Sequence, residues 1–172
     1  AKQRRGYCLV AGVQTGGLVL ELVRQSDLVV YAVSPDGAKV AAAQQLGAPV
    51  TAVLVGADVA AAAASLQALD LAEIVRLEHA ALRDYTADGF VEALAPFISS
   101  RAPSHVVFAH TYQARDFVPR LAARLDRPLV ADCIGIASSA DGLRYRRPVF
   151  QGKLHAEVVL EGPGPYLVSM QV

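Results

Sequence analysis

The residues best placed to do chemistry in this chain follow a buried apolar run. Positions 104–109 are short, apolar and β-branched, which is typical of a strand covered on both faces. The next stretch, 110–115, is predicted to be a loop. Ligands and partners of parallel α/β sheets usually bind at the carboxyl ends of strands, so this loop is the first candidate site. Its imidazole, His110, either contacts a ligand or partner or orders the loop.

A helix is expected after this loop, and its open N-terminus would face the candidate site. Apolar residues recur at i, i+4, i+5 and i+8 and share one helical face: Phe117, Leu121, Ala122 and Leu125. Pro119 lacks an N–H, and its ring clashes with a preceding helical turn, so a first-turn position suits it best. The sequence therefore predicts that the helix begins near Asp116, with Asp116 as the candidate N-cap.

Charged residues of this helix offer a second kind of site. Asp116 and Arg120 are four residues apart and can form an exposed ion pair worth a few tenths of a kcal/mol. Two alternatives remain open for Arg115, Arg120 and Arg124. They form either a solvated helix face or part of a subunit interface, where arginine forks onto carboxylates.

The other polar residues show no catalytic or metal-binding pattern. Histidines 79, 105, 110 and 155 are scattered, and none has a His or Cys four residues away. Ser138 and Ser139 are predicted to lie in a turn without a nucleophile-elbow motif, so no Ser/His/Asp arrangement follows. Cys133 lies in an apolar run and is expected to be a core residue. No phosphate-binding glycine motif is present. We therefore predict no catalytic, cofactor-binding or metal-ligating residues.

The elements that would position these residues alternate along the chain. Strands are predicted over 28–33, 50–55, 73–77, 104–109 and 128–136. Helices are predicted over 38–46, 58–69 and after a cap at Thr86, the last with a kink or break at Pro96. This alternation favours parallel strands joined by right-handed crossovers.

The last part of the chain has a different pattern. Three strand-like runs, 143–149, 154–160 and 166–172, are joined by glycine-containing turns. In the second run apolar side chains occur at every second position, which is typical of a half-buried antiparallel strand. The predicted fold class is therefore α/β, with a mostly parallel sheet flanked by helices and a C-terminal antiparallel strand extension. Because the chain ends on a strand with no polar tail, we expect it to be one domain of a longer protein.

Composition excludes several classes of protein. The 172 residues carry 16 basic and 16 acidic side chains, which argues against general nucleic-acid binding, although Arg144, Arg146 and Arg147 form a small basic cluster. Apolar runs are only strand-length, so no membrane span is predicted. Cys8 and Cys133 are too far apart in sequence to suggest a disulfide framework, which favours a reducing compartment.

The first 26 residues are predicted to be an N-terminal extension or hairpin of uncertain role. Apolar runs over 7–13 and 18–23 flank Gln14-Thr15-Gly16-Gly17, which resembles a hairpin more than a secretory signal. Residues 27–172 then form the main domain.

Two segments of that domain resemble electron-transfer flavoprotein alpha subunits. The first runs from Thr111 through Arg115-Asp116 and Pro119-Arg120-Leu121-Ala122-Ala123-Arg124-Leu125-Asp126 to Asp132. The second is Arg146-Arg147-Pro148-Val149-Phe150-Gln151-Gly152-Lys153. Their order and spacing match too, and the resemblance covers about residues 27–172. It implies the N-terminal domain of such a subunit, with a Rossmann-like sheet of the adenine nucleotide alpha hydrolase type.

The resemblance also implies a function for the whole protein. Members of this family pair an alpha with a beta subunit and pass electrons from flavin dehydrogenases, including those of fatty acid oxidation, to a membrane quinone reductase. Their FAD is held mainly by a second alpha domain, which is absent from these residues. This domain is then expected to be a scaffold and a beta-subunit docking surface without catalytic activity of its own. Its compartment would be the bacterial cytoplasm or, in a eukaryote, the mitochondrial matrix.

Two alternative functions stay open at this point. The first is a free-standing adenine-nucleotide binding domain of related fold, which would use the loops after Val33 and Ala109. The second is a structural domain that has lost its ligands and only pairs with a partner.

Overall fold

The computed structural model describes residues 6–11, 28–33, 51–68, 71–139 and 142–171. Within these ranges the strands, in chain order, are β1 (Gly6–Ala11), β2 (Leu28–Val33), β3 (Thr51–Gly56), β4 (Glu73–Glu78), β5 (His105–Ala109), β6 (Leu129–Cys133), β7 (Gly135–Ser139), β8 (Gly142–Val149), β9 (Leu154–Val158) and β10 (Tyr166–Met170). The helices are α1 (Ala60–Leu66), α2 (Ala87–Arg101) and α3 (Tyr112–Leu125), with a 3-10 turn at Ala80–Leu82. No helix among the described residues is long and apolar enough to cross a membrane.

Parallel pairing dominates the first part of the chain. β1 pairs with β2 and β3 pairs with β4, both in parallel. The β1–β2 pair lies between the β3–β4 pair and β5, because β2 is close to β3 and β1 is close to β5. β7, β8 and β9 form a separate antiparallel sheet in that order. The predicted α/β fold class, with parallel strands, flanking helices and an antiparallel part, is confirmed.

The last strand differs from the expected arrangement. β10 does not continue the antiparallel sheet but lies between β5 and β6, parallel to both. Its apolar residues explain this position, because Leu167 and Val168 are fully buried and pack on opposite faces of the sheet. A strand buried on both faces suits the centre of a parallel sheet rather than a half-exposed hairpin.

Two apolar clusters cover the two faces of the β5–β10–β6 sheet. Val106 and Phe108 of β5 pack into the cluster formed with α2 and α3. Val107, between them in sequence, packs into the other cluster with Val168 and Tyr145. This alternation follows from the pleat of a strand, which sends successive side chains to opposite faces. The sheet thus lies between α2 and α3 on one face and α1 with the antiparallel strands on the other.

The second helix confirms its predicted cap but not the predicted break. Thr86 Oγ1 accepts a hydrogen bond from the Gly89 amide at 3.2 Å, which stabilises the start of α2. The helix then continues through Pro96 to Arg101. Pro96 is exposed while Leu94 and Ile98 beside it are buried, so packing of the apolar face offsets the hydrogen bond that proline removes.

The third helix begins four residues earlier than predicted. Its N-cap is Thr111, whose Oγ1 accepts from the Ala114 amide at 3.2 Å, and the predicted cap at Asp116 is wrong. Pro119 lies inside the helix, on its exposed side. Burial of Phe117 and Leu121 on the opposite side holds the helix together across the missing N–H. The predicted loop 110–115 therefore shrinks to His110 and Thr111.

The predicted strand 128–136 is divided into two strands of different sheets. β6 is parallel, β7 is antiparallel, and the Ile134 amide between them donates to the Arg146 carbonyl at 2.8 Å. The segment 128–136 is apolar except for Asp132, and that single polar residue did not indicate a division into two strands. Ser138 and Ser139 consequently lie in β7 rather than in a turn.

Part of the N-terminal prediction lies outside the described residues. Positions 12–27, which contain the second half of the proposed hairpin, are outside them. So are positions 34–50, which contain the proposed helix 38–46. Residues Gly6–Ala11 form β1, which pairs parallel with β2. The hairpin and the boundary at residue 27 stay predictions.

Candidate functional site

A polar network occupies the carboxyl edge of the sheet, where β5 ends beside β10. The His110 amide donates to the Met170 carbonyl at 2.7 Å, which extends the pairing of the two strands by one residue. The His110 side chain turns back toward β10, and its Nδ1 lies 2.9 Å from Ser169 Oγ. Ser169 is almost completely buried. Of the two functions considered for His110, the structure places it in the loop-ordering one.

Asp132 completes the network from the other side of β10. It lies at a β-bulge, because Val168 pairs with Val130 while Met170 pairs with Cys133, which leaves an extra residue on β6 opposite Ser169. Asp132 has φ 66°, in the left-handed region that few residues other than glycine, asparagine and aspartate enter readily. The bulge frees the Asp132 amide from the ladder, and it donates to Ser169 Oγ at 3.1 Å instead.

The Asp132 carboxylate is also paired within the network. Its Oδ1 accepts from Gln171 Nε2 at 2.8 Å and lies 3.3 Å from His110 Nε2. A carboxylate only accepts, so these contacts place the His110 proton on Nε2. Nδ1 then accepts a hydrogen bond from the Ser169 hydroxyl. The same oxygen accepts from the Asp132 amide, so its own proton is free to be donated to Nδ1. Both His110 ring nitrogens, the Ser169 hydroxyl and Asp132 Oδ1 thus have partners inside the network.

Electrostatics keep His110 neutral in this setting. Burial lowers its pKa, the Asp132 carboxylate opposes that shift, and the positive charges of Arg115 and Arg147 add to it. A neutral imidazole matches the tautomer assigned above, in which Nδ1 accepts from a hydroxyl. The network therefore joins three strands through hydrogen bonds of a neutral imidazole, a hydroxyl and a backbone amide.

The network brings together a Ser, a His and an Asp, which sequence analysis did not foresee. It does not have the properties of a catalytic triad. Ser169 is 2% exposed, so a substrate cannot reach its hydroxyl. That hydroxyl bonds Nδ1 of His110 and accepts from a backbone amide, which holds it in place rather than activating it. The arrangement can position strands but cannot supply a nucleophile.

Sequence analysis missed Ser169 and Gln171 because Ser169 lies on β10 and Gln171 directly follows it. Only a parallel β10 between β5 and β6 places them beside His110 and Asp132, and that strand was expected in an antiparallel extension. One feature of the sequence could have found them. The run 166–170 is apolar at successive positions apart from Ser169, which is typical of a central parallel strand.

His105 forms a second buried polar contact at the other end of β5. Its Nε2 lies 2.7 Å from the Tyr145 hydroxyl, and its Nδ1 lies 3.0 Å from Ser104 Oγ. Burial lowers the pKa of His105 to about 4. Both ring nitrogens are partnered and the residue is buried, so His105 is a hydrogen-bonded core residue.

The remaining histidines and the cysteine have structural surroundings. His79 Nδ1 accepts from the Ala81 amide at 3.2 Å and caps the 3-10 turn. Cys133 is fully buried, as expected, and burial raises the pKa of its thiol to about 12. Among the described residues no group of three or more His, Cys, Asp or Glu side chains could hold a metal ion.

The charged residues of α3 connect it to α2. Arg120 lies 3.2 Å from Asp116, as the spacing predicted, and also 3.2 Å from Asp88 of α2. Tyr85 adds a neutral contact, since its hydroxyl donates to Asp116 Oδ2 at 3.0 Å. Burial, followed by this bond, raises the pKa of Tyr85 to about 12. Asp116 thus joins the helices instead of capping one. Arg124 makes a looser exposed pair with Glu92 at 3.6 Å.

The first turn of α3 presents an exposed aromatic residue. Tyr112 is 88% exposed, and the Arg115 guanidinium lies 5.8 Å from the centre of its ring. Such a stacked pair presents a flat amphipathic surface to solvent. The predicted subunit-interface alternative for Arg115 stays open.

A cavity of about 810 Å³ lies between the carboxyl edge of the sheet and the β8–β9 turn. Its walls include Asp132 and Gln171 from the network and Arg147 from β8. The turn at its mouth contains Phe150, which is 74% exposed. Successive residues of a strand point to opposite faces. Arg147 therefore lies on one face of β8 and Arg144 and Arg146 on the other, so the predicted basic cluster is divided between the two faces.

Comparison with known proteins agrees with this architecture. The family model described as electron transfer flavoprotein domain matches residues 29–172. The electron transfer flavoprotein subunit alpha of Bacillus subtilis is 32% identical over 111 residues, which cover 64% of this chain and 34% of that protein. The subunit of the same name from Clostridium acetobutylicum is 28% identical over 131 residues, 75% of this chain and 39% of that protein.

A similarity to a eukaryotic relative is shorter. The probable mitochondrial electron transfer flavoprotein subunit alpha of Cryptococcus neoformans is 38% identical over 66 residues, which cover 38% of this chain and 18% of that protein. The chain spans little more than a third of the length of the bacterial relatives. The resemblance to alpha subunits seen in its sequence is confirmed, and the chain belongs to the electron transfer flavoprotein domain family.

Proposed function

We propose that this chain is the scaffold domain of an electron-transfer flavoprotein alpha subunit and that it docks a beta subunit. The observation that carries this proposal is the family match over residues 29–172, together with relatives named as alpha subunits. Since the chain corresponds to about a third of such subunits, the electron-carrying part belongs to the rest of the polypeptide.

In the whole protein, electrons pass from flavin dehydrogenases, including those of fatty acid oxidation, through FAD to a quinone reductase. FAD is held by a second alpha domain. The carboxyl edge of the described sheet does not fit a flavin nucleotide, because His110, Asp132, Ser169 and Gln171 bond one another there. A phosphate would also meet the Asp132 carboxylate. The compartment is the bacterial cytoplasm or a mitochondrial matrix.

The docking surface that we propose for the beta subunit includes Tyr112 and Arg115. Tyrosine and arginine dominate binding energy at many interfaces, since they combine large contact area with hydrogen-bonding groups. Here both are exposed and already stacked, so little side-chain entropy is lost when a partner covers them. α3 holds them rigidly, because Phe117 and Leu121 fix its buried face.

The test compares variants of the full alpha subunit for binding to its beta subunit. Tyr112→Ala is expected to weaken binding by tenfold or more, which is about 1.4 kcal/mol. Arg124→Ala is the matched control, since Arg124 is exposed on the same helix twelve residues further along, about 18 Å away. Size-exclusion chromatography and calorimetry measure the complex. Failure of the unsubstituted subunit to pair would contradict the scaffold proposal, whereas an unaffected Tyr112→Ala would contradict only the surface.

No described contact favours the nucleotide-binding alternative at the loop after Ala109. That loop consists of His110, whose side chain faces inward, and Thr111, whose hydroxyl caps α3. Titration of the chain with AMP, ATP and FAD separates the two hypotheses. Tight AMP binding that is lost in a His110→Ala variant would contradict the scaffold proposal.

A further inference from the structure

The cavity beside the β8–β9 turn contains a cationic group without a partner. Arg147 lines it, and Arg147 Nε is buried without a hydrogen-bond acceptor among the described residues. A buried guanidinium N–H without an acceptor is costly, because the group has lost water and gained nothing in return. The unmet requirement is for an anionic or carbonyl oxygen.

The carboxylate on the cavity wall does not meet this requirement. Asp132 Oδ1 is held by Gln171 Nε2 at 2.8 Å and by His110 Nε2 at 3.3 Å. The bulge that sets Asp132 at φ 66° directs it into this network. Arg147 takes part in none of the ion pairs of the described residues, while Arg144 on the opposite face pairs with Glu157 at 3.6 Å.

His155 also lines the cavity, but its side chain does not face Arg147. His155 pairs with Pro148 across the two strands, and its Nδ1 lies 3.3 Å from an Arg146 guanidinium nitrogen, so it lies on the Arg146 face of β8. Arg147 points to the opposite face of that strand. Arg147 is therefore the cationic donor on the cavity wall, and the planar fork of its guanidinium suits the two oxygens of one carboxylate.

The rest of the wall determines the remainder of the ligand. Apolar side chains contribute much of it: Ile134, Pro148, Val149 and Phe150. The volume of about 810 Å³ exceeds what a simple ion needs and is in the range of small-molecule sites. The negative charge of Asp132 in the same cavity disfavours a dianion such as phosphate, because one guanidinium balances only one of its charges.

We propose that this cavity binds a small monocarboxylate with an apolar body, whose carboxylate is held by Arg147. The apolar body lies against Val149 and Phe150 at the turn. This site is separate from the proposed beta-subunit surface on α3, so either proposal can fail without the other.

Benzoate and benzamide are the probes, because they have the same shape and differ in charge. Calorimetry of the chain at constant ionic strength should show saturable binding of benzoate, with benzamide bound at least tenfold more weakly. Inorganic phosphate should compete poorly. Equal binding of benzoate and benzamide, or no saturable binding of benzoate, would overturn the proposal. Tighter binding of phosphate than of benzoate would overturn the ligand class.

Two single substitutions locate the site. Arg147→Gln should weaken benzoate binding by tenfold or more, whereas Arg144→Gln removes the same charge from the opposite face and should change it less than twofold. Arg147→Lys keeps the charge but loses the planar pair of donors, so an intermediate affinity is expected. This variant also provides the measurement if Arg147→Gln fails to fold. Wild-type affinity in both Arg147 variants would show that benzoate binds elsewhere and would overturn the proposal.

Discussion

Removing the Ser169 hydroxyl should destabilise the contact between β5, β10 and β6. In Ser169→Ala the backbone pairing of β10 is unchanged and no larger group is introduced. Two groups lose a partner together, namely the Asp132 amide at 3.1 Å and His110 Nδ1 at 2.9 Å. Ser169 is 2% exposed, so water cannot easily take the place of the hydroxyl.

The expected loss follows from these two contacts. A hydrogen bond contributes about 1 kcal/mol net, and a buried donor without an acceptor costs about 1–3 kcal/mol. Asp132 and His110 are half-buried, so relaxation toward solvent reduces the penalty. We expect the free energy of unfolding to fall by about 2 kcal/mol. In a domain of this size, 1 kcal/mol corresponds to about 2–4 °C, so Tm should fall by about 4–8 °C.

Urea denaturation followed by circular dichroism measures this change as a shift in midpoint at constant slope. Ser100→Ala is the matched control, because Ser100 donates to the Phe97 carbonyl at 2.8 Å on the exposed side of α2. Ser100→Ala should change the free energy of unfolding by less than about 0.5 kcal/mol. Equal effects of the two substitutions would refute the reasoning. A specific readout is the pKa of His110, which should rise once the hydroxyl no longer bonds Nδ1 of the neutral ring.

Three further predictions test other parts of the structure. Thr111→Ala should lower the free energy of unfolding by about 1 kcal/mol and Thr111→Ser by only a few tenths, since serine keeps the cap; equal losses in urea denaturation would contradict the start assigned to α3. Stability should fall as pH decreases from 6.5 toward about 4, by up to about 1.4 kcal/mol per pH unit from His105, because the unfolded state takes up a proton that the buried ring resists. His105→Gln should reduce the slope of stability against pH, and an unchanged slope would contradict the assignment of this dependence to His105. Cys133 should resist iodoacetamide in the native protein at neutral pH and react after unfolding, as peptide mass spectrometry can determine, since its thiol is buried with a pKa raised to about 12; rapid native labelling would contradict its burial.

Local patterns predicted the parts of the fold that depend on local chemistry. The apolar run of β5 is fully buried, as its composition indicated, and Thr86 caps α2. Local rules failed at Pro119, where they placed the helix start at Asp116. The proline rule accounts for one missing hydrogen bond. Burial of the apolar face of the helix stabilises it by more than that bond would contribute. Thr111 has a residue type that favours N-caps, but the sequence analysis proposed only Asp116.

Long-range pairing accounts for what sequence analysis could not supply. His110 and Ser169 are 59 residues apart, and their contact exists because β10 returns to the parallel sheet after the antiparallel strands. No periodicity within 166–170 states which strands it will join. Sequence analysis thus placed the candidate site at this edge of the sheet, with His110 in it, but without Ser169 of β10 and Gln171 directly after that strand.

Asp132 shows why this edge is a junction between strands as well as a wall of a cavity. A non-glycine residue in the left-handed region costs on the order of 1 kcal/mol, and aspartate tolerates it better than most. The bulge at Asp132 lets the chain leave the parallel sheet and enter β7 two residues after Cys133. Its amide and carboxylate then bond Ser169, Gln171 and His110, which offsets the cost. Because these bonds occupy Asp132, the guanidinium of Arg147 in the same cavity remains available for a carboxylate from outside.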